Sequence, residues 1–404
     1  MMERKKILFV AEAVTLAHLA RPLALAAALD PARFEAQLAC ADGYDQFLAA
    51  GVPPRWRIHS IPPAQFLAAL AAGRPVYEVA TLRRYVEDDL HLFQQAKPDL
   101  VVGDFRLSLS ISARRAGLPY VALSNAYWSP YVPQHYPLPD IPLARLRPLA
   151  LAGALFQLAR PLAFALHTLP LNRVRRQYGM ASLGWDLRRV YTDADRTLYA
   201  DVAELFAPRD MPASHSYLGP VAWSPPLAPP PWWAALPADV PLVYVTLGSS
   251  GQQRLLPLVL QALAPLPLLV AAATAGRAAP PQPPANARIA DYLPGELAAR
   301  RARLVVCNGG SLTSQQALAA GVPVLGIAGN LDQFLNMQGI VAAGAGALLR
   351  ADRTGAAEVR RASEILLREG TARAAAGVVA QVFQRYDAGA SFNAVLRQML
   401  GMPA

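Results

Sequence analysis

Residues 304–336, LVVCNGGSLTSQQALAAGVPVLGIAGNLDQFLN, constrain the fold of this chain more than any other stretch. Leu304–Cys307 is a short apolar run rich in β-branched residues, the pattern of a strand buried on both faces. Asn308, Gly309, Gly310 and Ser311 form a turn that opens a helix near Leu312. Gly321-Val322-Pro323 ends that helix, a second buried strand follows, and a polar loop is predicted after it. A strand leading through a Gly-rich turn into a helix makes a site for a phosphate or pyrophosphate. The first helical N–H groups lack partners, the helix dipole favours negative charge, and glycine lets the backbone approach closely. A nucleotide-containing ligand is the reading this stretch supports.

The same rhythm runs through the chain. Strands are predicted at Lys6–Val10, Phe34–Ala41, Pro98–Gly103 and Tyr120–Ser124, with helices at His18–Leu29, Leu82–Ala96 and Ser108–Ala116 between them. Buried strands alternating with helices predict a doubly wound parallel sheet. Residues 221–241, VAWSPPLAPPPWWAALPADVP, are too rich in proline for regular structure and read as a semi-rigid linker. After it the rhythm restarts: strand Leu242–Leu247, turn Gly248-Ser249-Ser250-Gly251, helix Leu255–Leu263, strand Pro267–Ala272 and a short strand Ala287–Ile289. Glu358–Leu400 is predicted helical. The expected organisation is an N-terminal Rossmann-like domain over 1–220, the linker over 221–241 and a C-terminal Rossmann-like domain over 242–385. A C-terminal helix over 386–404 is expected to pack back on the N-terminal domain, and a ligand cleft is expected between the halves.

At 404 residues, 54% hydrophobic and 16% charged, the chain can bury full cores and is not disordered. The net charge of +10 invites a nucleic-acid reading. It is set aside because the basic residues are mostly arginines scattered among alanines, with no dense run. Cys40 and Cys307 have neither CxxC spacing nor a histidine cluster, so no zinc site or disulfide framework is indicated and a reducing cytoplasm is expected. The basic start, MMERKKILFVAEA, reads as a first strand rather than a signal peptide, and no uninterrupted 18-residue apolar stretch occurs. Pro142–Leu171 is strongly apolar with Arg145, Arg147 and Arg160 interspersed and Pro148, Pro161 and Pro170 as breaks. One or two helices packed on the domain, with snorkelling arginines, are expected there in preference to a membrane-facing or acceptor-lining element.

Together these residues resemble the inverting family 1 glycosyltransferases of the GT-B fold, whose bacterial signature is H-G-G-x-G-T, then E-A-L-x-x-G-V-P, then D-Q-x-x-N-A. Here it stands as Asn308-Gly309-Gly310-Ser311-Leu312-Thr313, Gln316-Ala317-Leu318, Gly321-Val322-Pro323 and Asp332-Gln333 with Asn336. Asp291-Tyr292-Leu293-Pro294 is similar to a segment whose aromatic ring stacks on the nucleotide base, and Ala17-His18 with Pro22 to the loop carrying the catalytic histidine. Asp104 falls where the family places the carboxylate that orients that histidine.

The resemblance implies two Rossmann-like domains facing across a cleft, and transfer of a sugar from a nucleoside diphosphate to an acceptor hydroxyl without metal or other cofactor. His18 is implied as the base and Asp104 as its orienting partner. Asn308, Gly309, Gly310, Ser311 and Thr313 would hold the diphosphate, assisted by Gly248, Ser249 and Ser250. Tyr292 would meet the base, Gln316 the ribose, and Asp332 and Gln333 the sugar hydroxyls. Asn308 and Gln316 replace the usual histidine and glutamate, Leu312 a glycine and Gly295 a glutamine. A UDP- or dTDP-sugar is the expected donor, and the neutral Gln316 counts against UDP while leaving dTDP or another nucleotide open. The expected acceptor is a small or lipophilic hydroxyl compound, met by Asn125 and Trp128 and by Glu12, for which a solvated or anchoring loop role outweighs that of a second cleft carboxylate. A weak peripheral membrane contact is compatible with the apolar segment. Two alternatives remain open: a sugar-nucleotide epimerase or hydrolase of the same fold, and a binding protein that has lost catalysis.

Overall fold

The computed structural model describes residues 4–48, 53–368 and 370–403. Residues 1–3, ahead of the first strand, and Glu369, inside the expected C-terminal helical segment, lie outside the described residues. The chain divides into two compact units, one formed by Met1–Gln134, Ile141–Val221 and Tyr386–Ala404, the other by His135–Asp140 and Ala222–Arg385.

The first unit contains β1 (Lys5–Ala11), α1 (Leu16–Ala27), β2 (Phe34–Cys40), β3 (Arg55–Arg57), α2 (Pro63–Ala72) and α3 (Val79–Ala96). It continues with β4 (Leu100–Asp104), α4 (Leu109–Arg115), β5 (Tyr120–Ser124), α5 (Leu149–Gln177), α6 (Leu187–Tyr191), β6 (Arg196–Tyr199) and β7 (His215–Tyr217). The strands pair in the order β3-β2-β1-β4-β5-β6-β7, every pair parallel. Because β1 lies between β2 and β4, the winding reverses at their carboxyl ends, where open α/β sheets bind ligands.

In the second unit, β8 (Leu242–Thr246), α7 (Leu256–Leu263), β9 (Leu269–Ala273), β10 (Ala287–Ala290), α8 (Gly295–Arg301) and β11 (Leu304–Cys307) come first. They are followed by α9 (Ser311–Ala319), β12 (Val324–Ala328), α10 (Leu331–Ala342), β13 (Gly346–Arg350), α11 (Ala356–Arg368) and α12 (Gly370–Phe383). The parallel order β10-β9-β8-β11-β12-β13 again reverses at the second unit's first strand, between β8 and β11. The final helix, α13 (Ala388–Met399), belongs to the first unit, with Phe392 against Phe9 and Asn393 bonded to the backbone of Ala28 and Asp30.

Two local expectations change. The polar loop expected near Asp332 is instead the first turn of α10, because Asn330 and Gln333 form a reciprocal capping box. The C-terminal segment is helical as expected, in α11, α12 and α13. The apolar segment after Pro148 is one 29-residue helix that runs through Pro161 and Pro170. Its first two-thirds packs only one face on the domain, with Ala152 and Phe156 buried, and leaves the other apolar: Leu151, Leu155, Leu158, Leu162 and Leu166 are exposed.

Candidate active site

The carboxyl ends of β1, β4, β5 and β6 assemble a buried polar chain around one histidine. His18 sits in the first turn of α1, and Asp104 is the last residue of β4, paired in register with Ala11 of β1. His18 Nδ1 lies 2.8 Å from Asp104 Oδ1. Arg21, one turn further along α1, grips the same carboxylate with two hydrogen bonds, Nε to Oδ2 and an Nη2 bond to Oδ1, both 2.7 Å. Its other terminal nitrogen donates to Asn125 Oδ1, and Asn125 Nδ2 donates to Asp201 Oδ2. Burial opposes the charge on Asp104, but Arg21 and His18 outweigh it and hold the carboxyl below the usual carboxylate range. An ionised Asp104 is an acceptor suited to the His18 tautomer protonated at Nδ1, in which Nε2 carries the lone pair; Arg21 Nη2 also lies 3.2 Å from Nδ1. Phe105 closes the arrangement from one face, its ring stacked on the imidazole at 4.8 Å between centroids. Its backbone takes a left-handed φ of +59°, rare for a bulky residue and concentrated at functional sites. An apolar pocket borders Phe105, with walls that include Tyr77, His167, Leu171 and Tyr191. Its free room is about 20 Å³, enough for about one water, so a larger group enters only as side chains move.

Beside this chain lies a second, largely buried network. Glu12 Oε2 accepts from Arg106 at 2.9 Å and from Ser60 Oγ at 3.1 Å, and Oε1 accepts from Tyr85 Oη at 2.8 Å. Arg106 also bonds Asp89, which Ser108 and Ser112 complete, and its guanidinium lies over the Tyr85 ring.

In the second unit the turns after β8 and β11 meet. Asn308 Nδ2 donates to Ser250 Oγ at 3.1 Å, while Asn308 Oδ1 accepts from the N–H of Gly310. Gly309 has φ +81°, and a Cβ there would stand 2.7 Å from Cγ of Met337, so only glycine fits. Asn336 fixes the turn from beneath, donating to the Gly309 carbonyl and to Ser314 Oγ. α9 begins at Ser311 with Gly310 as its N-cap, which offers no side chain and makes no capping bond. Ser249, Ser250 and Thr313 are half-buried around it. Tyr292 is half-buried over Gly276, whose φ of +77° lets the backbone pass beneath the ring hydroxyl. At the start of α10, Gln333 is buried; Oε1 accepts from the N–H groups of Gly329 and Asn330, whereas Nε2 has no hydrogen-bond partner. A buried donor of that kind is costly unless something else satisfies it.

Residues 268–384 match the family described as Erythromycin biosynthesis protein CIII-like, C-terminal domain. Over 382 residues the chain is 56% identical to the PGL/p-HBAD biosynthesis rhamnosyltransferase of Mycobacterium bovis (strain BCG / Pasteur 1173P2), covering 95% of this chain and 85% of that protein. Among solved structures it resembles spinosyn forosaminyltransferase SpnP, with a TM-score of 0.71 at 19% identity over 99% of this chain and 100% of that one. Glycosyltransferase VinC, solved in complex with dTDP, gives 0.68 at 19% identity over 98% and 99%. The chain belongs to the family 1 glycosyltransferases of the GT-B fold.

In this glycosyltransferase the structure brings His18 and Asp104 together, and likewise Asn308, Gly310, Ser250 and the start of α9. It separates Glu12 from any acceptor: both carboxylate oxygens are bonded and the side chain is fully buried, so it is an anchor for Arg106 and not a solvated or acceptor-contacting residue. Asn125 is also buried, its amide engaged at both ends by Arg21 and Asp201. Trp128 meets Tyr191 edge-on and thereby stands beside the pocket. Gln316 does not present its amide to a ribose. Its Nε2 donates to the carbonyl of Trp223 at 2.6 Å, and its side chain occupies the space that a Cβ on Gly295 would need. Two of the four departures from the family signature, Gln316 and Gly295, thus share one space. Sequence reasoning missed Arg21, Phe105, Arg106 and Asp140, the last of which accepts from Gln252 beside the Ser250 turn. Only Arg21, one turn beyond His18 on a helix, carried a local signal.

Proposed function

We propose that this glycosyltransferase moves a rhamnosyl or similar sugar from a dTDP donor to a hydroxyl of a lipophilic acceptor, with inversion at the anomeric carbon. The observation that carries the reading is the His18–Asp104 pair: an imidazole 18% exposed, held at Nδ1 by a fully buried carboxylate, an arrangement that would leave Nε2 basic. The acceptor O–H proton passes to His18 Nε2 as the acceptor oxygen bonds the anomeric carbon. The bond from that carbon to the diphosphate oxygen breaks, and its electron pair leaves with the nucleoside diphosphate. The uncapped start of α9, the Asn308 turn and Ser250 would receive the growing diphosphate charge. The unpartnered Gln333 Nε2 is suited to a sugar hydroxyl, with Asp332 beside it.

Two observations favour dTDP over UDP. Gln316 is committed to Trp223, so no carboxylate stands at that position to accept from a pair of ribose hydroxyls, and a deoxyribose has only one such hydroxyl to satisfy. The VinC relative was solved with dTDP. The rhamnosyl assignment and an acceptor of the PGL/p-HBAD type come from the relative matched over 85% of its length. The apolar pocket beside Phe105 is in keeping with a lipophilic acceptor.

The test is transfer from dTDP-rhamnose and UDP-sugars to a panel of lipophilic alcohols and phenols, with and without EDTA. Product configuration is read by NMR, and the His18→Ala variant is assayed in parallel. Inverted product from the dTDP donor, insensitive to EDTA, with loss of about 10²–10⁴-fold in the variant, is expected. Retained configuration, a UDP preference or full activity of His18→Ala would overturn the corresponding part.

A further inference from the structure

The first two-thirds of α5 is where the first unit departs most from an ordinary surface. From Pro148 to Leu166 every exposed residue is apolar: Pro148, Ala150, Leu151, Ala154, Leu155, Leu158, Ala159, Pro161, Leu162 and Leu166. Leu158 is 78% and Leu162 67% exposed. These positions recur every three or four residues, so they form one stripe, about 24 Å long from Ala150 to Leu166. Of eleven large hydrophobic side chains exposed among the described residues, six lie between Leu146 and Leu166. An apolar surface this concentrated marks an interaction face.

We propose that this face of α5 seats the first unit on an anionic lipid surface. Charge selects the occupant. Between Asp140 and Asp186 the chain has no acidic residue, while Arg145, Arg147, Arg160, Arg173, Arg175 and Arg176 are all basic. Arg145 and Arg147 are exposed at one end of the stripe, Arg173 and Arg176 beyond the other. A second copy pairing through the same helix would set arginines against arginines in either orientation, with no carboxylate on the helix to offset them. A bilayer carrying anionic headgroups complements both the leucines and the flanking charges. α5 lies on the surface rather than crossing it, because its last third is tied into the unit. Leu171 and Val174 are buried, Asn172 bonds the backbone of Leu183 and Gly184, and Arg175 bonds Asp193. The same helix then supplies His167, Pro170 and Leu171 to the apolar pocket that borders Phe105, the residue stacked on His18. One helix thus carries both the lipid-facing stripe and part of the pocket beside the histidine. The seating gives the proposed lipophilic acceptor its purpose and in that respect rests on the proposed function.

Flotation of the full chain with phosphatidylcholine–phosphatidylglycerol vesicles, and with phosphatidylcholine alone, tests it. Binding to the anionic vesicles is expected, weakened by salt and by removal of the anionic lipid. Leu158→Gln with Leu162→Gln should lower the partition coefficient about tenfold or more while leaving the melting temperature and the rate with a water-soluble acceptor unchanged. Arg145→Gln with Arg147→Gln should remove part of the salt dependence. No flotation of the parent chain, or flotation indifferent to the leucine pair, would overturn the proposal. So would a dimer in light scattering that the leucine pair dissolves, which would make a second copy the occupant. Flotation without sugar transfer to any acceptor would sink the proposed function and leave the seating intact.

Discussion

The Phe105 ring lies over the His18 imidazole with 13° between planes, and the preceding residue, Asp104, holds the imidazole edge at Nδ1. Two consecutive residues thus fix one side chain from the face and from the rim, and the left-handed backbone at Phe105 is what permits both. If His18 is the base, as proposed, a ring stacked on it also favours the imidazolium that would form. Phe105→Leu is expected to lower kcat about fivefold, about 1 kcal/mol of lost stabilisation, with little change in KM for the donor. Steady-state kinetics check this, and an unchanged kcat would show that the stack is only packing.

Arg21 and Asp104 form a buried ion pair, so removing one partner strands the other. Arg21→Leu should cost about 3–5 kcal/mol of stability in urea denaturation. Combined with Asp104→Asn, the loss should fall well short of the sum of the single changes, because the second removes the charge that the first left unpaired. Additive losses would deny the coupling.

At Gln316 the family signature and the structure give opposite expectations. Restoring the usual residue with Gln316→Glu places a carboxylate against the Trp223 carbonyl, to which it cannot donate. The change should cost about 1–3 kcal/mol in thermal unfolding and should not move donor preference toward UDP. A gain of UDP-sugar turnover would mean that the glutamate leaves the linker and reaches the ribose.

Stability should decline as the solution is acidified, in two stages. Burial depresses His215 to about 4 from 6.5, so below pH 6.5 the unfolded chain takes up a proton that the folded chain refuses. Stability is therefore full above that pH and falls as pH drops toward 4. Asp104, whose folded pKa is also depressed, contributes stability above the ordinary carboxylate pKa and loses it as pH falls through its own lower value. Urea midpoints across this range should fall throughout, and His215→Phe should flatten the upper stage alone.

Much of the fold is legible because short β-branched runs such as Leu304–Cys307 have one good home, the middle of a parallel sheet. The Gly-Gly turn and the Gly-Val-Pro break mark the ends of α9 for equally local reasons. The capping box Asn330-Leu331-Asp332-Gln333 was also written in the chain, though it reads as a loop when hydrophobic period alone is followed. What stays hidden is pairing over distance. Glu12 finds Arg106 94 residues on, and nothing near either one marks them as partners. α5 misleads for another reason: apolar composition is ordinarily a sign of burial, and here it lies on the surface.

α13 has a consequence for how the molecule comes into being. Phe392 is fully buried against Phe9, and Tyr386 packs on Gly219 and bonds Glu204, so the first unit is completed by residues from the far end of the chain. During synthesis the strands of that unit emerge first, yet the core around Phe9 stays open until α13 has left the ribosome. The second unit, continuous from residue 222 to residue 385 apart from the short segment 135–140, has no such wait. The half made first is therefore the half finished last.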